Sequence, residues 1–245
     1  LITAAAAFET AAVAAGMAAA GASVLTVAAL APQSQIFGQT LVAGRDPAEF
    51  ALTFDDGPND RATGELLDLL AERGVQATFF MMGRFVRRRP ELARQVLAAG
   101  HVVGNHTVTH PWLAWQTAAR IREEMGGCNR ILEDVLGAPV RYFRPPHGAR
   151  RPAVFSVAKE LGLTVVQWNV MGQDWRPIGA EGILANVRRG MKRAAGAGRG
   201  ANILLHDGSD RAMGADRNDT VSAVRSLLQE TARDGRRAVT VEAWG

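Results

Sequence analysis

From Phe50 to the C-terminus the sequence alternates short apolar runs with amphipathic stretches, and this rhythm limits the fold more than any other feature. Residues 50–54, 76–81, 101–104, 141–143, 164–168, 202–205 and 238–241 have the length and composition of strands. Residues 62–73, 90–99, 117–136, 152–161, 180–194 and 220–234 carry helical periodicity, as in Leu66, Leu69 and Leu70 on one face. Local chemistry supports these assignments. Gly74 and Gly100 stand where helices need C-caps, Pro90 suits a first turn, and Asn218, Asp219 and Thr220 offer N-caps. Strands that alternate with helices build a mostly parallel sheet, so the fold class is α/β. Periodicity alone leaves a closed barrel and a doubly wound sheet both open. No solenoid repeat is visible. The spot at Gly196, Gly198 and Gly200 lacks a Walker lysine, which argues against a phosphate loop.

Composition narrows the function classes. The chain has 245 residues, 47% apolar and 21% charged, enough for a sizeable core. Its net charge is +4, carried mainly by arginines. The single tight run, Arg87-Arg88-Arg89, has no interleaved aromatics and no surrounding nucleic-acid motif, so it reads as a solvated face and no nucleic-acid partner is expected. Cys128 is the only cysteine. An intramolecular disulfide and a thiolate metal cluster are therefore excluded, and a small buried side chain is expected.

The first residues differ from the rest. No charge lies between Glu9 and Arg45, and the apolar run extends from Ala11 to Leu30. A helix of about twenty residues spans about 30 Å, enough for a bilayer core, although alanine contributes little to transfer. Three readings compete: a membrane anchor, a secretory signal peptide, and an apolar helix packed on the domain. The first two place the protein in the cell envelope or outside the cell. The resulting division is an apolar segment at 1–31, a connector at 32–49 with a polar stretch from Pro32 to Gln39, and a main domain at 50–245.

Polar residues fall at the ends of the predicted strands. Asp55 and Asp56 follow the first, His106 and His110 the third, and Arg144 the fourth. Asp174 and Trp175 come soon after the fifth, and His206 and Asp207 follow the sixth. In parallel α/β folds these ends share one face, where sites assemble. Pro111 and the β-branched Val108 and Thr109 favour a turn or a distorted helical turn over a regular helix at His106–His110. Two imidazoles with a carboxylate leave an open coordination position, the pattern of catalytic zinc. Adjacent carboxylates repel unless a cation neutralises them. Neighbouring strand side chains point apart, so one acid could hold metal while the other takes a proton from water. A buried Arg144 could hold a carboxylate bidentately. Asp174 could orient His206 as a general acid. His101, after a helix cap, reads as structural.

These clusters resemble the motifs of the polysaccharide deacetylases with a NodB homology domain, carbohydrate esterase family four. Thr53-Phe54-Asp55-Asp56-Gly57-Pro58 looks like the first motif, His106-Thr107-Val108-Thr109-His110 the second and Arg144-Pro145-Pro146-His147-Gly148 the third. Asp174-Trp175 resembles the fourth and Leu204-Leu205-His206 the fifth. The resemblance implies a distorted (β/α)7 barrel and zinc, or another divalent metal such as cobalt, on Asp56, His106 and His110. It implies Asp55 as general base tethered by Arg144, and His206 as general acid oriented by Asp174. Trp175 and Leu204 would wall an acetyl pocket, and the His147 backbone N–H would help hold an oxyanion. The implied partner is an N-acetylated polysaccharide or oligosaccharide. One departure is that the family usually carries an aromatic such as tyrosine in place of His147, which puts sugar stacking there in question. Two other readings stand beside this one: the same metal hydrolase acting on a formamide or ring amide, and a non-catalytic envelope sugar-binding protein, which would be expected to lack catalytic residues.

Overall fold

A computed structural model of the chain describes residues 23–245. Among the described residues, eight strands, all paired in parallel, form one sheet: β1 (Glu49–Gly57), β2 (Thr78–Met81), β3 (Val102–Asn105), β4 (Tyr142–Phe143), β5 (Thr164–Val165), β6 (Val170–Met171), β7 (Ala201–His206) and β8 (Arg237–Ala238). The order is β5-β4-β3-β2-β1-β7-β6, with β8 beside the start of β1. Helices cover the outside: α1 (Ala62–Glu72), α2 (Gly83–Arg88), α3 (Pro90–Ala98), α4 (Ala118–Leu136), α5 (Pro152–Glu160), α6 (Gly179–Gly196) and α7 (Asn218–Arg233). The curled parallel sheet with its helices is a distorted (β/α)7 barrel, which decides between the two architectures that periodicity left open.

β1 is the axis of the fold. It is in register with β7 from Phe50↔Ala201 to Asp55↔His206, and with β2 from Thr53↔Thr78 onward. Side chains alternate across a strand. Phe50, Leu52 and Phe54 therefore join the main core under the helices, while Ala51 joins a smaller cluster with Phe80, Tyr142, Val166 and Val241. Thr53 and Asp55 continue the Ala51 face toward the strand ends, so the barrel interior turns from apolar to polar along its axis. Outside, α4 begins at Thr117, whose hydroxyl accepts the Arg120 N–H at 3.2 Å, and ends on Gly137. Cys128 is fully buried in α4, as expected. Gly74 and Gly100 take positive φ after α1 and α3, as C-caps do.

Several elements depart from the sequence pattern. The expected strand 164–168 is only two residues long before Gln167–Asn169 break the ladder, and a separate β6 follows. Helix α2 lies where the sequence pattern marks no element. Its Arg87 and Arg88, with the following Arg89, are exposed, whereas Arg84 is half-buried, and Arg89 pairs with Asp60. β8 ends at Ala238, and residues 241–244 form a 3₁₀ turn. Thr220 does not cap α7, whose N-cap position is Arg217 with no side-chain cap. The Thr220 hydroxyl instead donates to Asp174 Oδ2 at 2.9 Å.

The expected anchor lies mostly outside the described residues. Residues 23–30 are helical, with Val24, Leu25 and Val27 exposed and Ala28 buried. No helix among the described residues is long and apolar enough to cross a membrane. The stretch 32–49 packs against the body. Leu41 bridges Val166, and the buried Arg150 donates to the carbonyls of Ala31 and Ser34.

Gly104 makes room for a key ring. A Cβ there would lie 2.5 Å from the Phe80 ring and 3.2 Å from the Tyr142 carbonyl. Gly104→Ala should therefore lower stability by about 1–3 kcal/mol through overpacking. Urea unfolding checks this, with an unchanged midpoint as the contrary result.

Candidate active site

The polar interior of the barrel is organised around Arg144, which is completely buried. Its Nη1 donates to Asp55 Oδ1 at 2.9 Å and to the Thr53 hydroxyl at 2.7 Å. Its Nη2 donates to the Gln167 carbonyl and Asn202 Oδ1, both at 3.3 Å. The guanidinium lies 4.2 Å from the Phe80 ring centre. Its contact with Asp55 is a single hydrogen bond through Nη1, not the expected bidentate grip; Nη2 is taken by Gln167 and Asn202, and the buried Nε has no partner.

Asp55 and Asp56 lie inside β1, which continues to Gly57, and both line one cavity of about 590 Å³. Strict alternation would separate them. The register with β2 slips between Asp55 and Gly57, and Asp56 takes φ 70°, so the bulge returns the second acid to the same side. His106 and His110 sit on a turn, as their sequence context suggested, with Thr107 and His110 at φ 66° and 65°. Asn105 Oδ1 accepts the Thr107 N–H at 2.9 Å. Buried Glu124 accepts the N–H groups of Val108 and Thr109 at 2.9 and 2.8 Å. The Arg144 carbonyl fixes His106 Nδ1 at 2.8 Å.

One ligand atom each from Asp56, His106 and His110 lies within 4.8 Å of the others. Asp56 Oδ1 is 3.5 Å from His106 Nε2 and 3.2 Å from His110 Nε2. Burial works against charge on Asp56, but His106, His206 and His110 outweigh it and hold the carboxyl well below the usual carboxylate range. Burial, followed by the field of His106, pushes His110 down to about 3.

His206 stands across the cavity. Asp174 Oδ1 meets His206 Nδ1 at 2.8 Å, and Asp174 Oδ2 accepts the His206 backbone N–H at 2.7 Å. Burial opposes charge on this imidazole, yet Asp174 raises its pKa to about 9. Trp175, 47% exposed, sets its ring edge-to-face with His206 at 5.4 Å, and the buried Leu204 completes that wall. His147, at φ 58°, stacks on Trp112 with ring centres 4.0 Å apart and lies edge-on to His110 at 4.5 Å. An exposed aromatic surface thus exists beside His147, supplied by a different residue.

All ten residues singled out in the sequence surround this cavity or are bonded to those that line it. Asp207, noted beside His206, is also buried. It accepts from the Thr63 hydroxyl at 2.5 Å, and burial lifts its carboxyl to about 7. His101 is buried away from the cavity and accepts the Ala77 N–H. Sequence reasoning missed Thr53, Glu124, Gln167, Asn202 and Trp112. Glu124 had a signal, since it falls on the apolar stripe of α4 beside Ile121 and Met125. Thr53 opens the first motif but was given no role, and Gln167 and Asn202 had no signal, because polar residues in or beside short apolar runs are common.

Residues 44–166 match the family described as Polysaccharide deacetylase. The chain is 38% identical over 193 residues to a peptidoglycan-N-acetylglucosamine deacetylase of Bacillus cereus, covering 78% of this chain and 85% of that one. It is 41% identical over 167 residues to a chitooligosaccharide deacetylase of Rhizobium leguminosarum bv. trifolii, covering 68% and 74%. Among solved structures, a peptidoglycan N-acetylglucosamine deacetylase in complex with 4-naphthalen-1-yl-N-oxidanyl-benzamide superposes with TM-score 0.74 at 31% identity, covering 82% of this chain and 90% of that one. A CE4 family pseudoenzyme from Bacillus anthracis gives 0.71 at 25% identity, covering 80% and 65%. The match in sequence, fold and motif order shows that this chain belongs to the polysaccharide deacetylase family.

Proposed function

We propose that this protein is a metal-dependent hydrolase that removes N-acetyl groups from an N-acetylated envelope or extracellular polysaccharide, releasing acetate. The observation that carries this reading is the convergence of a candidate metal triad, a tethered carboxylate and a carboxylate-bound histidine on one cavity. The relatives named above act on peptidoglycan N-acetylglucosamine or chitooligosaccharides, which supports a β-linked N-acetylglucosamine polymer as the substrate class. We assign residues 50–245 as the catalytic unit, preceded by a connector at 32–49 and an apolar segment at 1–31 that attaches it to the envelope or directs it outward.

The residues fit a divalent cation. Asp56 Oδ1 is buried without a well-formed hydrogen bond, facing two imidazole nitrogens. Two nitrogens and one oxygen suit zinc, with cobalt as a workable substitute. When bound, such an ion would polarise the substrate carbonyl and lower the pKa of water toward about 7.

The side chains divide the remaining work. Asp55, held by Arg144, takes the proton from the attacking water. The His147 backbone N–H helps hold the oxyanion, where a fixed donor is worth about 10²–10³-fold. His206 gives its proton to the departing sugar nitrogen, and Asp174 keeps that proton available. Leu204 and Trp175 enclose the acetyl methyl. The catalytic set is complete in this chain, which favours an active enzyme over the pseudoenzyme state known for one structural neighbour.

The decisive measurement is acetate release from N-acetylated chitooligosaccharides and from peptidoglycan, with metal stripped and then restored as zinc or cobalt. Release that follows the metal supports the reading. No release from either polymer with metal bound would overturn it. Asp55→Asn and His206→Ala should each lower turnover by about 10²–10⁴-fold with metal content retained, and near-normal turnover in either would reject that residue's role. His106→Ala should lose the metal by elemental analysis. Because His206 must be protonated to donate, activity should decline as pH rises through about 9. Asp174→Asn should move that limb down toward about 6.5, the ordinary histidine value. The same raised pKa stabilises the fold fully below about pH 6.5 and ceases to do so as pH rises through the folded value.

A further inference from the structure

The two candidate histidine ligands are not equally prepared. His106 Nδ1 faces the Arg144 carbonyl, which can only accept, so that nitrogen carries the proton and Nε2 is left bare for a metal. His110 has no such partner. Its Nδ1 is buried without a hydrogen bond, while its Nε2 lies 3.2 Å from Asp56 Oδ1. A neutral imidazole carries one N–H. If Nε2 binds metal, the proton must sit on Nδ1, and a buried N–H without an acceptor is unfavourable.

A carboxylate stands near that nitrogen. Asp210 Oδ2 is 3.7 Å from His110 Nδ1, beyond hydrogen-bond length but within reach of a small side-chain rotation. Its side chain is 43% exposed and free to adjust. Its backbone is held in place. Arg84 on α2 donates to the Asp210 carbonyl, and Arg217 donates to the Gly208 carbonyl at 2.8 Å. The loop after β7 is thus pinned on both sides of the carboxylate, above a nitrogen that needs an acceptor.

We infer that Asp210 is a positioning residue for the metal centre: its carboxylate accepts the Nδ1–H of His110 and so fixes the tautomer that presents Nε2 to the cation. This rests on the metal reading above and adds a residue that none of the five motifs contains. Metal-bound histidines usually donate their second N–H to a carboxylate or carbonyl, and loss of that partner typically costs about 10–100-fold in metal affinity.

The test is zinc affinity by competition with a chromophoric chelator for the wild type, Asp210→Ala and Asp210→Asn. Asp210→Ala should bind zinc about 10–100-fold more weakly, with the metal-free unfolding temperature unchanged. Asp210→Asn should recover most of that loss, because its amide oxygen still accepts. Long-range proton–nitrogen NMR of the zinc form should show a protected His110 Nδ1–H in the wild type that is lost in Asp210→Ala. Wild-type zinc affinity in Asp210→Ala, or equal losses in the alanine and asparagine variants, would overturn this assignment and leave the metal reading intact. Failure of the wild type to bind zinc or cobalt would overturn the metal reading and this inference together.

Discussion

A guanidinium without access to water sits inside the barrel, and much of the site follows from it. Burying a cation is expensive unless it is paired and its donors are satisfied. Asp55 supplies the opposite charge, while Thr53, Gln167 and Asn202 supply acceptors. These partners come from β1, from the segment after β5 and from β7, so the strands must be in their observed register for Arg144 to be tolerated at all. The same residue offers its carbonyl to His106. One arginine therefore fixes both the carboxylate assigned as base and the orientation of a candidate ligand.

Two neighbouring acids acquire different surroundings by a local device. The bulge at Asp56 turns its carboxylate toward the imidazoles, while Asp55 stays in register with His206 on β7 and bonded to Arg144. The environments then diverge. Asp56 is held ionised by three histidines, and His206 is held protonated by Asp174. Opposed shifts within one cavity separate the group proposed to bind an ion from the one proposed to donate a proton, and such pairs mark candidate acid and base assignments.

The neighbouring pseudoenzyme shows that this barrel does not by itself confer activity. The candidate site residues lie at the strand ends and in the turns that follow, and those turns are held by residues outside the motifs. Glu124 secures the His106–His110 turn from α4, Thr220 secures Asp174 from α7, and Arg84 and Arg217 hold the loop after β7. The rim carries exposed rings on two sides, Trp112 against His147 and Trp175 against His206. Flat apolar surfaces of this kind suit the faces of sugar rings.

The sequence alone determined a good deal here. Alternating strand and helix patterns specify a parallel sheet because each element must bury one face against the next. Once the sheet is parallel, residues after successive strands must meet, so Asp55, His106, Arg144, Asp174 and His206 could be grouped without coordinates. Other features depend on contacts between distant segments, to which local pattern is blind. The bulge that brings Asp56 beside Asp55, the single rather than forked grip of Arg144, and the stacking of Trp112 on His147 are of this kind. So are the diversion of Thr220 from helix cap to Asp174 and the break of the fifth strand at Gln167. In each case a polar group found a better partner across the barrel than its neighbours in the chain could offer, and only the tertiary structure brings such partners together.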